Sequence, residues 1–340
     1  MIKSLKLEDF RNFDKKKLEF SDGITVIVGP NGVGKTNILE ALHLLSTGKS
    51  FKAKVESEML NYGADLARIS GECRMQNVEC IITNGTGNWP KKRLLINGVP
   101  KRLIDFAGNF KIVLFGPWDL DLVTDSPSLR RNFLDSVLSQ SDREYRRAVL
   151  SYEKGLRQRN RLLFRIREEG INRSQLLFWN QLLIKNGNYI TDKRQEFIEF
   201  VNAQGKCNLK YDPSQISEAR LEQYKDAEIA SATTLVGPHR DDFVFLQYDK
   251  DLASYGSRGQ QRMETLWLKL AELKFIEETQ LRQGSAGQGS PTLLLDDIFS
   301  ELDHEHRDIV MEISTKQQTI ITTADPHFIE KLKVGDIIKL

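Results

Sequence analysis

The sequence has 340 residues, of which 40% are hydrophobic and 28% charged, and its formal net charge is +2. With a mean hydropathy of −0.41, this composition excludes a disordered chain, a collagen-like repeat and a membrane-embedded protein. The length predicts two structural parts, and because no apolar stretch has signal-peptide or membrane-spanning length, we expect a cytoplasmic protein with no membrane partner.

The N-terminal region has the pattern strand, strand, glycine-rich turn, helix. Ile2 to Phe10 alternates apolar and polar residues, Ile24 to Val28 is a continuous apolar run, and Lys35 to Gly48 has helical periodicity. Residues 66–105 favour strands again, and Asn97-Gly98 is typical of a tight hairpin turn. These elements predict an α/β fold.

The glycine-rich turn reads GPNGVGKT and fits the phosphate-binding P-loop pattern at every fixed position. In such a loop, N–H groups at a helix N-terminus surround phosphate, a lysine neutralises the β and γ oxygens, and a hydroxyl ligates Mg²⁺. We therefore expect ATP and Mg²⁺ as cofactors, Lys35 as a catalytic residue and Thr36 as a metal ligand. The expected nucleotide contacts are Gly29, Pro30, Asn31, Gly32, Val33, Gly34, Lys35 and Thr36.

A long helical segment follows, from about Ser128 to Asn202, with Gly170 and Gly187 as expected breaks. Residues 130–196 carry 15 basic and 8 acidic side chains. Such a surface suits a phosphate backbone, but the neighbouring glutamates would equally make it a solvated face with internal ion pairs, and charge alone does not decide. The candidate DNA contacts are Arg157, Arg159 and Arg161.

The C-terminal part alternates strands and helices. Strand character returns at Phe243 to Tyr248, a helix is expected from Gly259 to about Arg282, and a glycine- and serine-rich loop runs from Gly284 to Ser290. The last two predicted strands are Thr319 to Thr323 and Asp336 to Leu340.

Between them, TLLLDD (Thr292 to Asp297) is an apolar strand that ends in two carboxylates, as a Walker B strand does. We expect both Asp296 and Asp297 to be catalytic residues: Asp296 would also be a metal ligand that reaches Mg²⁺, and Asp297 would hold the attacking water. Taken alone, the acidic pair could also cap a helix. Because Lys35 and Asp296 must share a metal ion across most of the chain, a large insertion would interrupt the ATPase core.

YGSRGQQR, Tyr255 to Arg262, precedes an amphipathic helix and resembles the signature motif of ABC-type ATPases, which ends in Ser-x-Gly-Gln. The resemblance implies that Ser257, Gly259 and Gln260 bind the γ-phosphate held by the other subunit of a dimer. The alternative is an ordinary N-capped helix. SELD, Ser300 to Asp303, stands where that superfamily has its D-loop.

Several stretches in this order resemble the RecF family: LEDFRNF, GKTNILEAL, TGKSF, LRRNFLDSVL, LRQRNRLL, LVGPHRDDF, GSRGQQR and LLLDDIFSELD. The resemblance implies a P-loop ABC-type ATPase head with an inserted helical lobe and a β-rich arm. We accordingly divide the chain into residues 1–127 (first half of the head, with the arm), 128–228 (the basic lobe) and 229–340 (second half, with signature and Walker B).

The same resemblance implies an ATP-dependent DNA-binding protein of recombinational repair, replication restart and the SOS response. Such a protein would form an ATP-dependent homodimer, bind duplex DNA and single-strand gap junctions, and assist RecA loading with RecO and RecR. Its ATPase activity would be weak, and DNA would stimulate it.

Some positions depart from the expected pattern. Asp297 stands where ABC-type ATPases usually have a Walker B glutamate. LFGPWDL (Leu114 to Leu120), where a Q-loop would be sought, contains no glutamine. A switch histidine is expected just after Thr319 to Thr323, but the first histidine there is His327. Arg11 could reach nucleotide phosphate from the first strand. In GPHRDD, His239 and Arg240 carry the family pattern, although a turn in which Asp241 and Asp242 balance Arg240 is an equal alternative.

Two other functions share part of these motifs. An ABC transporter ATPase subunit would have the same P-loop, signature and Walker B, but is usually shorter, with the signature closer to Walker B. A P-loop kinase of small molecules would leave Ser257 to Gln260 unexplained.

Overall fold

The structure, a computed structural model, describes residues 1–73, 76–86, 89–282, 290–300, 302–325 and 336–340. The described residues form both strands and helices. The strands are β1 Ile2–Phe10, β2 Phe13–Glu19, β3 Ile24–Val28, β4 Leu66–Cys73, β5 Gln76–Thr83, β6 Lys92–Ile96, β7 Val99–Lys101, β8 Ile112–Phe115, β9 Leu209–Asp212, β10 Asp242–Gln247, β11 Lys250–Asp251, β12 Thr292–Asp296, β13 Thr319–Thr323 and β14 Asp336–Lys339.

The α-helices are α1 Lys35–Thr47, α2 Leu103–Phe106, α3 Asp121–Thr124, α4 Pro127–Ser141, α5 Arg143–Glu169, α6 Leu177–Ala203, α7 Glu218–Gln223, α8 Lys225–Ser231, α9 Leu252–Tyr255, α10 Arg258–Arg282 and α11 His304–Ser314. Short 3₁₀ turns are Glu56–Met59, Pro117–Leu120, Arg173–Leu176, Pro238–Arg240 and Ile298–Ser300. None of the described helices combines the length and the hydrophobicity needed to span a lipid bilayer.

Five strands form a parallel sheet in the order β14-β3-β13-β12-β8. Every residue of β3, β8, β12 and β13 is buried, as expected for parallel strands covered on both faces. The predicted strands at Ile24–Val28 and Thr319–Thr323 are confirmed to the residue, and the strand after Thr292 extends to Asp296.

Six strands form an antiparallel sheet in the order β2-β1-β4-β5-β6-β7. The hairpin turn at Asn97-Gly98 is confirmed: both residues have positive φ, 51° and 77°, and they join β6 to β7. Strand β2 was not predicted, because its lysines hide the alternation. It lies at the sheet edge, where charged side chains protect unpaired strand backbone.

Helix α1 packs in the hydrophobic core between these two sheets. Ile38, Leu39, Leu42 and Leu45, the predicted apolar face, join one buried cluster with residues from both sheets. The helix ends at Gly48, whose φ of 72° is the left-handed conformation that glycine adopts readily. Strand β3, through Ile27, and helix α1 therefore belong to one core, which holds both sides of the glycine-rich turn.

The long helices α5 and α6 form most of the predicted helical segment. Gly170 ends α5 with a φ of 65°, as predicted. The predicted break at Gly187 is wrong, because this residue lies inside α6. A Cβ there would lie 2.8 Å from Ile216 and 3.2 Å from Pro238 and Tyr152, so glycine serves close packing at this position and does not interrupt the helix.

By internal contacts the chain divides into two units: a first unit of Met1–Asp119 with Ile276–Leu340, and a second unit of Leu120–Phe275. The first unit contains both the P-loop sequence and Asp296, and the second contains the helical segment and Ser257 to Gln260. The sequence-based division put its boundaries at 128 and 228 instead, and that three-part division stays a prediction.

Candidate nucleotide-binding site

The carboxyl ends of three adjacent parallel strands meet at one edge of the five-stranded sheet. Strand β13 lies between β3 and β12, and Thr322 pairs with Ile27 on one side and Asp296 on the other. Loops at this edge of a parallel sheet are the usual ligand site of α/β folds. The topology therefore brings Gly29 and Asp296 close, although most of the chain separates them.

The P-loop backbone adopts conformations that glycine permits. Gly32 and Gly34 have φ values of 83° and 108°. The buried side chain of Lys35 donates through Nζ to the carbonyl oxygens of Gly29, at 2.7 Å, and Pro30, at 3.0 Å. Lys35 is also the first residue of helix α1, which has no side-chain cap at its N-terminus and no acidic residue in its first turn. Its N-terminal N–H groups and macrodipole thus favour an anion such as phosphate.

Asn12, which the sequence analysis gave no role, supports this loop from the turn between β1 and β2. Its Nδ2 donates to the carbonyl of Val33 at 2.8 Å, and its Oδ1 accepts from Nδ2 of Asn37 at 2.8 Å. A Cβ on Gly34 would lie 2.6 Å from that same Oδ1. The one sequence signal for Asn12 was its place in LEDFRNF, a stretch that carries the family resemblance and in which only Arg11 had been given a role.

Arg11, in the turn between β1 and β2, forms an ion pair with α1. Its guanidinium donates to both carboxylate oxygens of buried Glu40, from Nε at 2.8 Å and from Nη2 at 2.6 Å. Glu40 lies on α1, so this bidentate ion pair fixes the β1–β2 turn to the helix that follows the P-loop. The phosphate contact expected for Arg11 stays a prediction.

Thr36 and Asp296 form the expected pair at the sheet edge. The Thr36 hydroxyl donates to Oδ2 of Asp296 at 2.7 Å, and the Thr322 hydroxyl donates to Oδ1 at 2.5 Å. Hydroxyl and carboxylate oxygens are the hard donors that Mg²⁺ prefers when it also binds phosphates. The donor set fits the predicted metal site, and its role stays a prediction.

Asp297 has a φ of 50°, a left-handed conformation that is uncommon for a non-glycine residue. Its N–H donates to the backbone oxygen of Thr322 at 3.1 Å, which holds the backbone of Asp297 against β13. Such backbone conformations occur often at functional sites. The predicted catalytic carboxylate therefore directly follows the predicted metal ligand on a fixed backbone.

In the second unit, Ser257 and Gln260 cap the start of α10 reciprocally. Gln260 N donates to Ser257 Oγ at 3.3 Å, and Ser257 N donates to Gln260 Oε1 at 2.8 Å. The capped helix of the alternative interpretation is thus present. All of Ser257 to Gln260 is nevertheless exposed, and a Cβ on Gly259 would meet only Ser257 Oγ, at 3.9 Å, so a ligand can approach this helix tip.

In two segments, the region where a Q-loop was sought and the predicted D-loop, the hydrogen bonds that the structure shows are structural. In LFGPWDL, Asp119 accepts from the N–H of Gly116 at 2.8 Å and Trp118 stacks on Phe51, so this turn is held structurally. In SELD, Asp303 caps α11 by accepting from His306 N at 3.1 Å. Glu301, His327 and most of the loop from Gly284 to Ser290 lie outside the described residues.

The three candidate DNA contacts differ in exposure. Arg157 and Arg161 are exposed on α5. Arg159 is only 2% exposed. It donates to Glu228 at 2.7 Å, Thr234 at 2.8 Å and Asn180 at 2.7 Å. The prediction that Arg159 contacts DNA is therefore corrected. On a helix, a residue two positions from its neighbours lies on a different face, and Arg159 faces the interior while Arg157 and Arg161 face outward.

His239 lies in a 3₁₀ turn, as the alternative interpretation of GPHRDD expected. Its Nε2 donates to the carbonyl of Thr234 at 3.0 Å, so Nδ1 accepts from the Tyr152 hydroxyl at 2.8 Å. Burial lowers the pKa of His239 to about 4. The two aspartates do not pair with Arg240 as expected: Asp241 accepts from Arg194 and Asp242 from Arg130.

Known proteins are similar to this chain in sequence and in fold. The family model described as RecF/RecN/SMC N terminal domain matches residues 1–337. A protein of Halalkalibacterium halodurans named DNA replication and repair protein RecF is 37% identical, over 95% of this chain and 92% of its own length.

Two solved structures have the same fold over nearly their full length. One is described as the recombination mediator protein RecF-ATPrS in the RecFOR pathway; it is 30% identical with a TM-score of 0.87 and covers 100% of this chain and 96% of its own. The other, RecF-ATP of the same pathway, is 30% identical with a TM-score of 0.88 and covers 99% and 95%. The predicted ABC-type ATPase head is thereby confirmed, and the chain belongs to the RecF family of RecF/RecN/SMC N-terminal domain proteins.

Proposed function

We propose that this chain is an ATP-switched DNA-binding protein of recombinational repair and replication restart. The observation that carries the proposal is the convergence of Lys35, Thr36 and Asp296 at one sheet edge, together with an exposed signature helix tip in the same chain. The names of its relatives, which refer to DNA replication and repair and to bound ATP, support the same function.

ATP would be held by Gly29 to Thr36 at the N-terminus of α1, with Mg²⁺ bound by Thr36 and Asp296. The ion would neutralise charge on the phosphates. Lys35 is buried and already oriented by two carbonyls, so little ordering remains to be done when phosphate binds. Asp297 would orient water, and because its side chain is one methylene shorter than glutamate, we expect weak ATPase activity. Stimulation of that activity by DNA is what the family resemblance implies.

The nucleotide on one copy would be completed by Ser257, Gly259 and Gln260 of a second copy, which makes the homodimer ATP-dependent. In the free chain, Gln260 N bonds to Ser257 Oγ at the long distance of 3.3 Å. Phosphate, with its full charge, would replace this neutral interaction at a helix N-terminus. ATP then favours the dimer by binding it more tightly than it binds the separate chains.

The dimer would bind duplex DNA and single-strand gap junctions through the exposed Arg157 and Arg161. By family resemblance, it would act with RecO and RecR to assist RecA loading. We expect it to take part in the SOS response and to be located in the cytoplasm. A positively charged surface releases counterions from DNA, so binding would weaken steeply with salt.

The test is retention of duplex DNA by the full chain, measured by fluorescence anisotropy with a non-hydrolysed ATP analogue, with ADP and without nucleotide. We expect retention with the analogue alone. Lys35→Ala is the matched control and would bind weakly under all three conditions. Asp297→Asn, which keeps the shape of the side chain, would give the same retention with ATP itself, because hydrolysis no longer opens the dimer.

Equal DNA binding with and without nucleotide, or none at all, would contradict the proposal. A transporter ATPase subunit and a small-molecule kinase both predict no ATP-dependent DNA retention. Unchanged ATP turnover in Asp297→Asn would remove that residue from the hydrolysis step.

A further inference from the structure

One face of α5 carries a row of exposed cations that ends in an exposed aromatic ring. Lys154, Arg157, Arg161, Phe164 and Arg165 follow one another at intervals that place them on the same side of a helix. Lys154, Arg157 and Arg161 make no ion pair within the described part of the chain, whereas Arg165 pairs with Glu169. The row from Lys154 to Phe164 is about 15 Å long at the helical rise per residue.

Helices α5 and α6 pack against each other as a helical hairpin, and the start of α6, near the end of α5, exposes more apolar surface. Leu177 and Phe178 are each 63% exposed and Phe164 is 49% exposed. Phe178 meets Trp179 edge to face, with ring centroids 5.0 Å apart, and the Arg167 guanidinium lies 5.3 Å from the Phe164 centroid. We call Phe164, Leu177, Phe178 and Trp179 the aromatic tip.

The aromatic tip rests on a rigid base. Leu163, Ile166 and Leu176 form a buried cluster at this end of the hairpin. Phe164 directly follows Leu163, and Phe178 lies two residues after Leu176, so packing of the buried neighbours fixes the backbone that presents the rings. Large apolar side chains held outward in this way favour an interaction site over random surface exposure.

We propose that the aromatic tip stacks on unpaired DNA bases while Lys154, Arg157 and Arg161 hold the adjoining phosphates. This inference rests on the DNA-binding function proposed above and adds to it the residues that distinguish single-stranded from duplex DNA. The charge of the row complements a phosphate backbone, and flat rings beside arginines match the stacking surfaces that bind single strands. Bases inside a duplex are stacked already and offer no free face to these rings.

The test compares a blunt duplex with the same duplex carrying a single-stranded extension, both with a non-hydrolysed ATP analogue. A fluorescent adenine analogue at the first unpaired position reports stacking by quenching. The variant is the double substitution Phe164→Leu with Phe178→Leu, which keeps apolar side chains and removes the rings. Tyr248→Leu, at another exposed aromatic residue of the second unit, is the matched control.

We expect the leucine variant to lose roughly 5- to 150-fold in affinity for the extended DNA, the range for one stacked base, together with the quenching. Its affinity for the blunt duplex would stay unchanged, and Phe164→Tyr with Phe178→Tyr would restore both signals. Tyr248→Leu would behave as the wild-type chain does.

Three results would overturn the inference. Unchanged affinity and quenching in the leucine variant would exclude stacking, and equal loss on both DNAs would assign the tip to general affinity or to folding. Altered sedimentation of the variant with unchanged binding of both DNAs would make the tip a protein interface. These results leave ATP-dependent duplex retention by the wild-type chain intact; failure of that retention instead contradicts the proposed function.

Discussion

The hydroxyl of Thr36 donates to Oδ2 of Asp296 at 2.7 Å, which joins the first turn of α1 to the end of β12. Thr322 binds the other carboxylate oxygen from β13. Both oxygens of Asp296 are therefore oriented by hydrogen bonds, which would hold the carboxylate in place for the proposed Mg²⁺.

Replacing Thr36 by valine keeps the side-chain shape and removes the hydroxyl. We expect Thr36→Val to lose at least about 10-fold in the Mg²⁺-dependent part of ATP affinity, as is typical when a partner in a metal site is lost. Thr36→Ser would restore it. The measurement is binding of a fluorescent ATP analogue in Mg²⁺ and in chelator, and a wild-type affinity that is equal in both would exclude the metal site.

Local sequence patterns predicted the backbone of the P-loop sequence, for a physical reason. A P-loop needs glycines at positive φ between a buried strand and a helix; Gly32 and Gly34 meet that need, and α1 begins at Lys35. Asn12 could not be found in this way, because its hydrogen bonds to Val33 and Asn37 connect different elements.

The same reasoning explains why the arginines of α5 were treated alike. Arg157, Arg159 and Arg161 are alternate residues with similar neighbours in sequence, and composition does not tell which one turns inward. Glu228, the carboxylate that receives Arg159, comes from α8, much later in the chain. Only the tertiary structure separates one buried ion pair from two free cations.

A mixture of two inactive variants tests the shared nucleotide site. Lys35→Ala removes the phosphate-binding cation, and Ser257→Arg blocks the helix tip while leaving the P-loop intact. Each variant alone should neither dimerise nor hydrolyse ATP, but Ser257→Arg should still bind ATP as a monomer. Mixed in equal amounts, they should recover up to about half of the wild-type ATPase rate, because only mixed dimers can form and each has one complete site of two.

The readouts are ATP turnover and sedimentation with a non-hydrolysed analogue. Wild-type turnover by Ser257→Arg alone would exclude a shared site. Absence of recovery in the mixture, with both variants folded, would show that one complete site does not suffice for turnover.

Arg159 and Arg157 should separate stability from DNA binding. Arg159→Ala leaves Glu228, which is 0% exposed, without its cation and should lower the free energy of unfolding by about 3 to 5 kcal/mol. Arg157→Ala, at an exposed position of the same helix, should change it by no more than about 0.5 kcal/mol. Urea unfolding followed by circular dichroism measures both.

For DNA affinity we expect the opposite: substitutions at the exposed arginines should have the larger effect and a substitution at Arg159 the smaller. Arg157→Gln with Arg161→Gln should weaken duplex binding and reduce the slope of log affinity against log salt by about 2, one for each lost phosphate contact. If the double variant keeps the wild-type slope, the exposed arginines form only a solvated face. A stable Arg159→Ala chain with impaired DNA binding would restore Arg159 as a candidate contact.

Acid should destabilise the fold through His239. Burial first, and then the nearby cations Arg240 and Arg131, lower its pKa from 6.5 to about 4, against the opposing hydrogen bond to Thr234. Between these two values the unfolded chain binds a proton that the folded chain does not. The free energy of unfolding is therefore unaffected by His239 above pH 6.5 and falls as the pH drops from there. Near pH 4 the decrease is complete, with a total on the order of 3 kcal/mol.

Since carboxylates titrate in the same window, the informative quantity is the difference between two chains. His239→Gln can still donate to Thr234 and accept from Tyr152 but does not titrate, so its unfolding free energy should fall less steeply between pH 6.5 and 4 than that of the wild type. His304→Gln, at a histidine side chain that is 92% exposed, should retain the wild-type slope. If His239→Gln and the wild type gave parallel curves in urea unfolding at a series of pH values, the neutral buried imidazole would have no part in acid sensitivity, and the Tyr152–His239–Thr234 chain of hydrogen bonds would stabilise the fold independently of pH.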